Sequence, residues 1–93
     1  YRLTTYNFDP EKYDDMLAYA DTMKDEVRKI EGLNFAHVCR TSENSATIIA
    51  QYRNEEAMLN ATPKFREIMG GMKQFFTSQP KPIGAEIIWK SNN

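Results

Sequence analysis

The sequence predicts an α+β domain with elements in the order βαββαβ, in which helices cover one face of a four-stranded antiparallel sheet. Three observations lead there. Apolar residues recur at three-and-four spacing through residues 13–30 and again through 65–76, the pattern of one face of a helix. Residues 1–8, 33–41, 46–53 and 83–90 are short runs rich in β-branched, aromatic or alternating apolar residues, the pattern of strands. The two middle runs are separated only by Ser42, Glu43, Asn44 and Ser45, polar residues that suit a hairpin turn.

Tyr1 to Phe8 reads as the first strand and ends at a helix start. Asp9 can cap, Pro10 has no N–H to lose in the first helical turn, and Glu11 favours the positive end of the helix dipole. The helix is expected to run to about Glu31, with Tyr13, Met16, Leu17, Ala20, Met23, Val27 and Ile30 on its apolar face, and Gly32 is placed to stop it. After the hairpin, Asn54 offers a second cap, followed by Glu55 and Glu56. Pro63 would cost a continuous helix a hydrogen bond, so a short helix, a break and a longer helix from Pro63 to about Phe76 are expected. Phe65, Ile68, Met69, Met72, Phe75 and Phe76 form its buried stripe. Pro80 and Pro82 prevent its continuation, and Ile83 to Lys90 alternates as a fourth strand. This is the ferredoxin-like arrangement, and residues 1–93 read as one domain without an internal repeat.

Register decides which hairpin residues share a face. If Thr41 pairs with Ala46, then Cys39 lies opposite Ile48, His37 opposite Ala50 and Phe35 opposite Tyr52. One face then carries Leu33, Phe35, His37, Cys39, Ile48, Ala50 and Tyr52. The other carries Asn34, Ala36, Val38, Arg40, Thr47, Ile49, Gln51 and Arg53. Val38, Ile49 and Ile88 would meet water on that second face in a monomer, so a partner is expected, most simply a second copy of the chain.

Composition narrows the function classes. A chain of 93 residues has a limited core, for which oligomerisation is a common support. A hydrophobic share of 41% and a charged share of 27% suit a soluble globular protein. The formal charge of −1 supplies no field for phosphate backbones or anionic lipids, which argues against nucleic-acid and membrane partners. The lone Cys39 allows neither an internal disulfide nor a structural zinc site, and a reducing, cytoplasmic setting is expected. No run approaches the roughly 20 apolar residues of a membrane span, and the start Tyr1-Arg2-Leu3-Thr4 lacks the basic-then-apolar shape of a secretory leader; a beginning at Tyr1 rather than Met leaves open that residues were removed upstream.

His37, the only histidine, is the one side chain whose ordinary pKa lies near neutrality, so it is the candidate base. Its plainer reading is a strand histidine packed beneath a helix, since no carboxylate or second imidazole shares its expected face. Cys39, two residues on, could pair with it as a nucleophile but is expected to be packing. Tyr52 and Trp89 each join a flat apolar body to a polar tip, which suits an aromatic ligand and equally a core. Asn7 could orient a substrate carbonyl or cap a turn. Phe65, Met69 and Met72 could line an adaptable cavity or simply fill the core. The helical pair Gly70–Gly71 costs up to about 1 kcal/mol per residue against Ala, which calls for a bend or a close approach. No phosphate-binding loop, carboxylate pair or metal-ligand spacing is present.

The whole chain resembles the dimeric α+β barrel superfamily, and within it the antibiotic-biosynthesis-monooxygenase-like domains. The resemblance rests on the opening strand and amphipathic helix, on Glu31-Gly32-Leu33-Asn34-Phe35 leading into the second strand, on Gln51-Tyr52-Arg53-Asn54-Glu55-Glu56-Ala57, and on Pro63-Lys64-Phe65. It implies a pocket between helices and sheet, two sheets packed into a shared barrel, and oxidation of aromatic quinol or polyketide-like substrates without metal or flavin. Haem-degrading relatives use a Trp and a ligating His in the second helical region. Residues 54–76 have neither, and Tyr52 stands where many relatives place Trp. The expectation is a homodimeric, cofactor-independent monooxygenase with His37, Asn7 and Tyr52 as catalytic candidates and Trp89, Phe65, Met69, Met72 and Phe35 as substrate walls. The alternatives are a non-catalytic small-ligand-binding or stress-related homodimer, and a dimer whose core is simply filled.

Overall fold

A computed structural model describes residues 1–92. Its strands are β1 (Arg2–Asn7), β2 (Leu33–Ser42), β3 (Ser45–Tyr52) and β4 (Lys81–Gly84), and its helices are α1 (Tyr13–Thr22), α2 (Lys24–Arg28), α3 (Glu55–Asn60) and α4 (Thr62–Met72). The strands form one antiparallel sheet in the order β2-β3-β1-β4, the ferredoxin-like fold. No helix among the described residues is long and apolar enough to cross a membrane.

The local signals act as their chemistry requires. Asp9 Oδ1 accepts from the Glu11 N–H at 3.0 Å and starts a short 3-10 turn, and Asn54 Oδ1 accepts from the Ala57 N–H at 2.8 Å to cap α3. Gly32 adopts φ +81°, and a β-carbon there would lie 2.5 Å from that of Ala57. The helix expected to run unbroken to Glu31 is interrupted at Met23. Thr22 Oγ1 donates back to the Tyr19 carbonyl at 2.6 Å and the Met23 N–H takes the Ala20 carbonyl at 3.1 Å, which tightens and ends the turn. The fourth strand is also shorter than residues 83–90. Arg2 faces Gly84 and Tyr1 exchanges backbone hydrogen bonds with Ala85, and residues 85–90 form no strand.

The largest correction concerns register. Ser42 faces Ser45, in line with the expected pairing, but Arg40 faces Ala46 and His37 faces Ile49, so one extra residue, Thr41, is accommodated in β2. A second irregularity at Asn34 sets Phe35 opposite Gln51 and Leu33 opposite Tyr52. Ala36, Val38 and Arg40 therefore share the helix-covered face with Ile48, Ala50 and Tyr52. Phe35, His37 and Cys39 share the outer face with Thr47, Ile49 and Gln51.

On the inner face Tyr6, Phe8, Met16, Ala46, Met69, Met72 and Phe75 form the main core. Ala50, Tyr52, Ala57 and Ala61 form a second cluster under α3. Gly71 is explained by close approach, because its missing side chain makes room for the Tyr19 ring.

Candidate functional site

Three features arise from this register. The first is a cleft of 570 Å³ between the α1–α2 helices, α4 and the inner face of the sheet, walled by Ala20, Val27, Ala36, Val38, Ile48 and Ile68, with Phe35 and His37 bordering it along the β2 edge. It exists because β2 is an edge strand whose small inner residue, Ala36, is matched by Ala20 on the helix above, and because no further strand closes its side. Asp21, Lys24 and Arg28 stand among its lining as the charged groups, so a mainly apolar interior meets a polar mouth.

The second is a buried cation. Arg2 is 7% exposed, and its Nη2 donates to the Met58 carbonyl at 2.9 Å and to Thr62 Oγ1 at 2.8 Å. Its guanidinium lies over the Phe65 ring at 4.3 Å and the Tyr52 ring at 5.6 Å. Burial pushes the Tyr52 phenol pKa up, and the charge of Arg2 opposes that rise. None of the ion pairs among the described residues includes Arg2. Its Nη1, and Oγ1 of the fully buried Thr4 beside it on β1, have no hydrogen-bond partner.

The third is a groove on the outer face. Phe35 stacks on His37 with ring centroids 4.6 Å apart and meets Tyr1 edge-on at 6.5 Å. Gln51 Nε2 donates to the Tyr1 hydroxyl at 3.1 Å and Asn34 Nδ2 to Gln51 Oε1 at 3.1 Å. Ile87 and Trp89 of the C-terminal stretch complete the groove, with Trp89 78% exposed.

The expected catalytic trio is thus divided. His37 and Asn7 lie on the outer face and Tyr52 on the inner one, and Asn7, four residues along β1 from Leu3, is roughly 13 Å along the strand from the row containing His37. The Asn7 backbone serves the following chain, its N–H donating to Ser78 Oγ at 3.2 Å and its carbonyl accepting from Thr77 at 2.9 Å. Of the expected walls, Phe65 joins Tyr52 around Arg2, Met69 and Met72 belong to the main core, and Phe35, which also borders the cleft at the β2 edge, meets Trp89 only in the outer groove. No cluster of His, Cys, Asp and Glu among the described residues could hold a metal ion. Arg2 and Thr4 escaped attention in the sequence. Alternation from Tyr6 and Phe8, both bulky and bound for the core, was the signal that could have turned them inward.

Comparison with family models gives no match. Comparison with the curated proteins also gives none. Solved structures do match. A monooxygenase of Streptomyces coelicolor in complex with the ligand nanaomycin D superposes with a TM-score of 0.72 at 18% identity, over 97% of this chain and 90% of that one. A Bordetella bronchiseptica protein provisionally named an antibiotic biosynthesis monooxygenase gives 0.75 at 12% identity, over 94% and 95%. One from Bacteroides thetaiotaomicron with the same provisional name gives 0.71 at 24% identity, over 99% and 91%. At these identities the likeness is one of fold: this chain is built as the antibiotic-biosynthesis-monooxygenase domains are, on a ferredoxin-like sheet with helices on one face.

Proposed function

We propose that the chain binds a small, electron-rich aromatic molecule of quinol or polyketide-like kind in the inner cleft and oxidises it with dioxygen, without a cofactor, as a homodimer. The apolar cleft over Ala36, Val38 and Ile48 carries the reading, since it offers an aromatic body a mainly apolar slot, open at the β2 edge where Val38 is 45% exposed, with charged groups at its mouth. The names of its fold neighbours, and the ligand held by the Streptomyces protein, support a small-molecule role. In the reaction the substrate loses a proton and its carbanion forms a C–O bond with dioxygen. The resulting hydroperoxide breaks its O–O bond as the remaining hydrogen leaves carbon, giving a carbonyl and water. All four electrons come from the substrate, so the protein need only bind, favour the anion and exclude bulk water. His37 borders the cleft along the β2 edge but is given no part, because its ring stacks on Phe35 and shares the outer face with Ile49.

A homodimer is supported by the outer face, where Leu3, Ile49 and Ile83 share a row and Ile88 is 89% exposed. An exposed, unpaired Cys39 suits a reducing compartment such as the cytoplasm. The test is oxygen uptake with quinols and anthrones. Saturable uptake that disappears on filling the cleft with Val38→Trp is expected, and uptake no faster than in buffer across the series overturns the oxidative reading. The turning of His37 away from the cleft favours one rival, a binding protein without turnover, for which those compounds would bind saturably while consuming no oxygen.

A further inference from the structure

Between Asp21 and Lys29 the chain carries three acids and three bases, so the stretch as a whole is neutral. The fold does not spread these charges evenly. Lys24 and Arg28, four residues apart and so on one side of α2, both line the cleft. Asp21 is the one carboxylate in that lining among the described residues. The other two acids are placed elsewhere: Glu26 Oε2 accepts from Lys64 Nζ at 2.8 Å, and Asp25 lies outside the cleft lining. Lys29 stands with Glu26 and Lys64 in a separate groove. The mouth of the cleft is therefore net positive, in a chain whose formal charge is −1.

Both cations are available to a ligand. No ion pair among the described residues includes Lys24, and Arg28 meets Asp25 at 3.8 Å with the two side chains 70% and 85% exposed, a contact of little strength. Val27 lies between them in the sequence and is one of the apolar walls. Long basic side chains cover such apolar surface with their stems and keep their charged ends at the water boundary. Like charges beside low-dielectric walls concentrate their field in the opening. A flat ring seated over Ala36, Val38 and Ile48 would leave its outward substituent at this opening, beside α2.

We propose that Lys24 and Arg28 select the ligand by charge, favouring aromatic acids, which carry a carboxylate at the end left in the mouth, over neutral rings of the same shape. Asp21 works against them and limits the preference. This rests on the reading of the cleft as the ligand site and narrows its substrate class from electron-rich aromatics to anionic ones. Because the three charged groups are exposed, the preference is modest and is screened by salt.

The test uses two probes of one shape, 2-naphthoate and its neutral counterpart 2-naphthamide, titrated calorimetrically into the intact protein. Wild type is expected to prefer the anion by about threefold to tenfold in about 20 mM salt, and to lose most of that preference in about 500 mM salt. Lys24→Gln and Arg28→Gln should each reduce the preference by about twofold, and the double variant should abolish it. Asp21→Asn should change it in the opposite sense, raising it by about twofold. All three positions are exposed, so the substitutions leave the core untouched. Equal binding of both probes by wild type at low salt, abolished by Val38→Trp, would overturn the charge selection and leave the cleft standing. So would a preference that the double variant keeps. Binding indifferent to Val38→Trp, or absent for both probes, would overturn the cleft reading and the proposal with it.

Discussion

The phenol of Tyr19 occupies the space that a side chain at Gly71 would need. An ideal β-carbon there would fall inside the Tyr19 ring system, whereas one at the neighbouring Gly70 would meet nothing within 4 Å. Two adjacent glycines in one helix thus have opposite meanings. Tyr19 in turn packs against Phe75 at 6.0 Å, so the contact joins α1 to the end of the α4 region.

Gly70→Ala is accordingly expected to stabilise the protein by up to about 1 kcal/mol through helix propensity. Gly71→Ala gains the same propensity but must displace an aromatic ring, and a net loss of about 1–3 kcal/mol is expected. Combining it with Tyr19→Leu should remove most of that loss. Urea denaturation of the four proteins checks this, and equal effects of the two glycine changes would contradict it.

Alkaline pH provides an independent check on the core. Burial, with a smaller contribution from Tyr13, pushes the Tyr6 phenol up to about 12. Unfolded chains ionise tyrosine near pH 10, so over the interval from about 10 to about 12 the unfolded state releases a proton that the folded state keeps. Stability from this source is whole below about pH 10 and declines as pH rises through the folded value. Tyr6→Phe should flatten the decline in a pH series of melting curves, and an unchanged slope would contradict the assignment.

The outer face gives a prediction about assembly. Ile49→Lys places a charge at the centre of that face, next to His37 and Leu3, without touching the inner core. Light scattering is expected to find two copies for wild type and one for the variant, with unchanged circular dichroism. A wild type that stays monomeric would contradict the homodimer.

His37 borders the cleft along the β2 edge, but its ring stacks on Phe35 on the outer face, so His37→Ala should leave ligand binding in the cleft unchanged. A loss of binding with the assembly intact, measured by the same calorimetric titration, would show that the outer face takes part.

These outcomes also mark how far the sequence could be read. Asp9, Asn54, Gly32 and Pro63 act through their own covalent chemistry, and each sits where its local role predicts. The faces of the hairpin depend on Thr41 and Asn34, where β2 accommodates extra residues. Neither residue type demands a bulge, so composition is silent there, and one uncounted residue carries His37 from one side of the sheet to the other. The alternation of residues 83–90 is likewise real, but a strand needs a paired neighbour, and only Lys81–Gly84 of this region pairs in the sheet. Arg2 was hidden for the reverse reason: a charged residue reads as solvated unless the aromatic residues that alternate with it are used to set its face.

Ile48 and Ile49 are consecutive yet face opposite sides of the sheet, one lining the cleft and the other beside His37. Their methyl resonances therefore report separately on the two faces. Titration of 2-naphthoate into methyl-labelled protein is expected to shift Ile48, Ile68 and Val38 while leaving Ile49, Leu3 and Ile87 in place. Shifts confined to Ile49, Leu3 and Ile87 would move the ligand to the outer groove and contradict the inner cleft as the functional site.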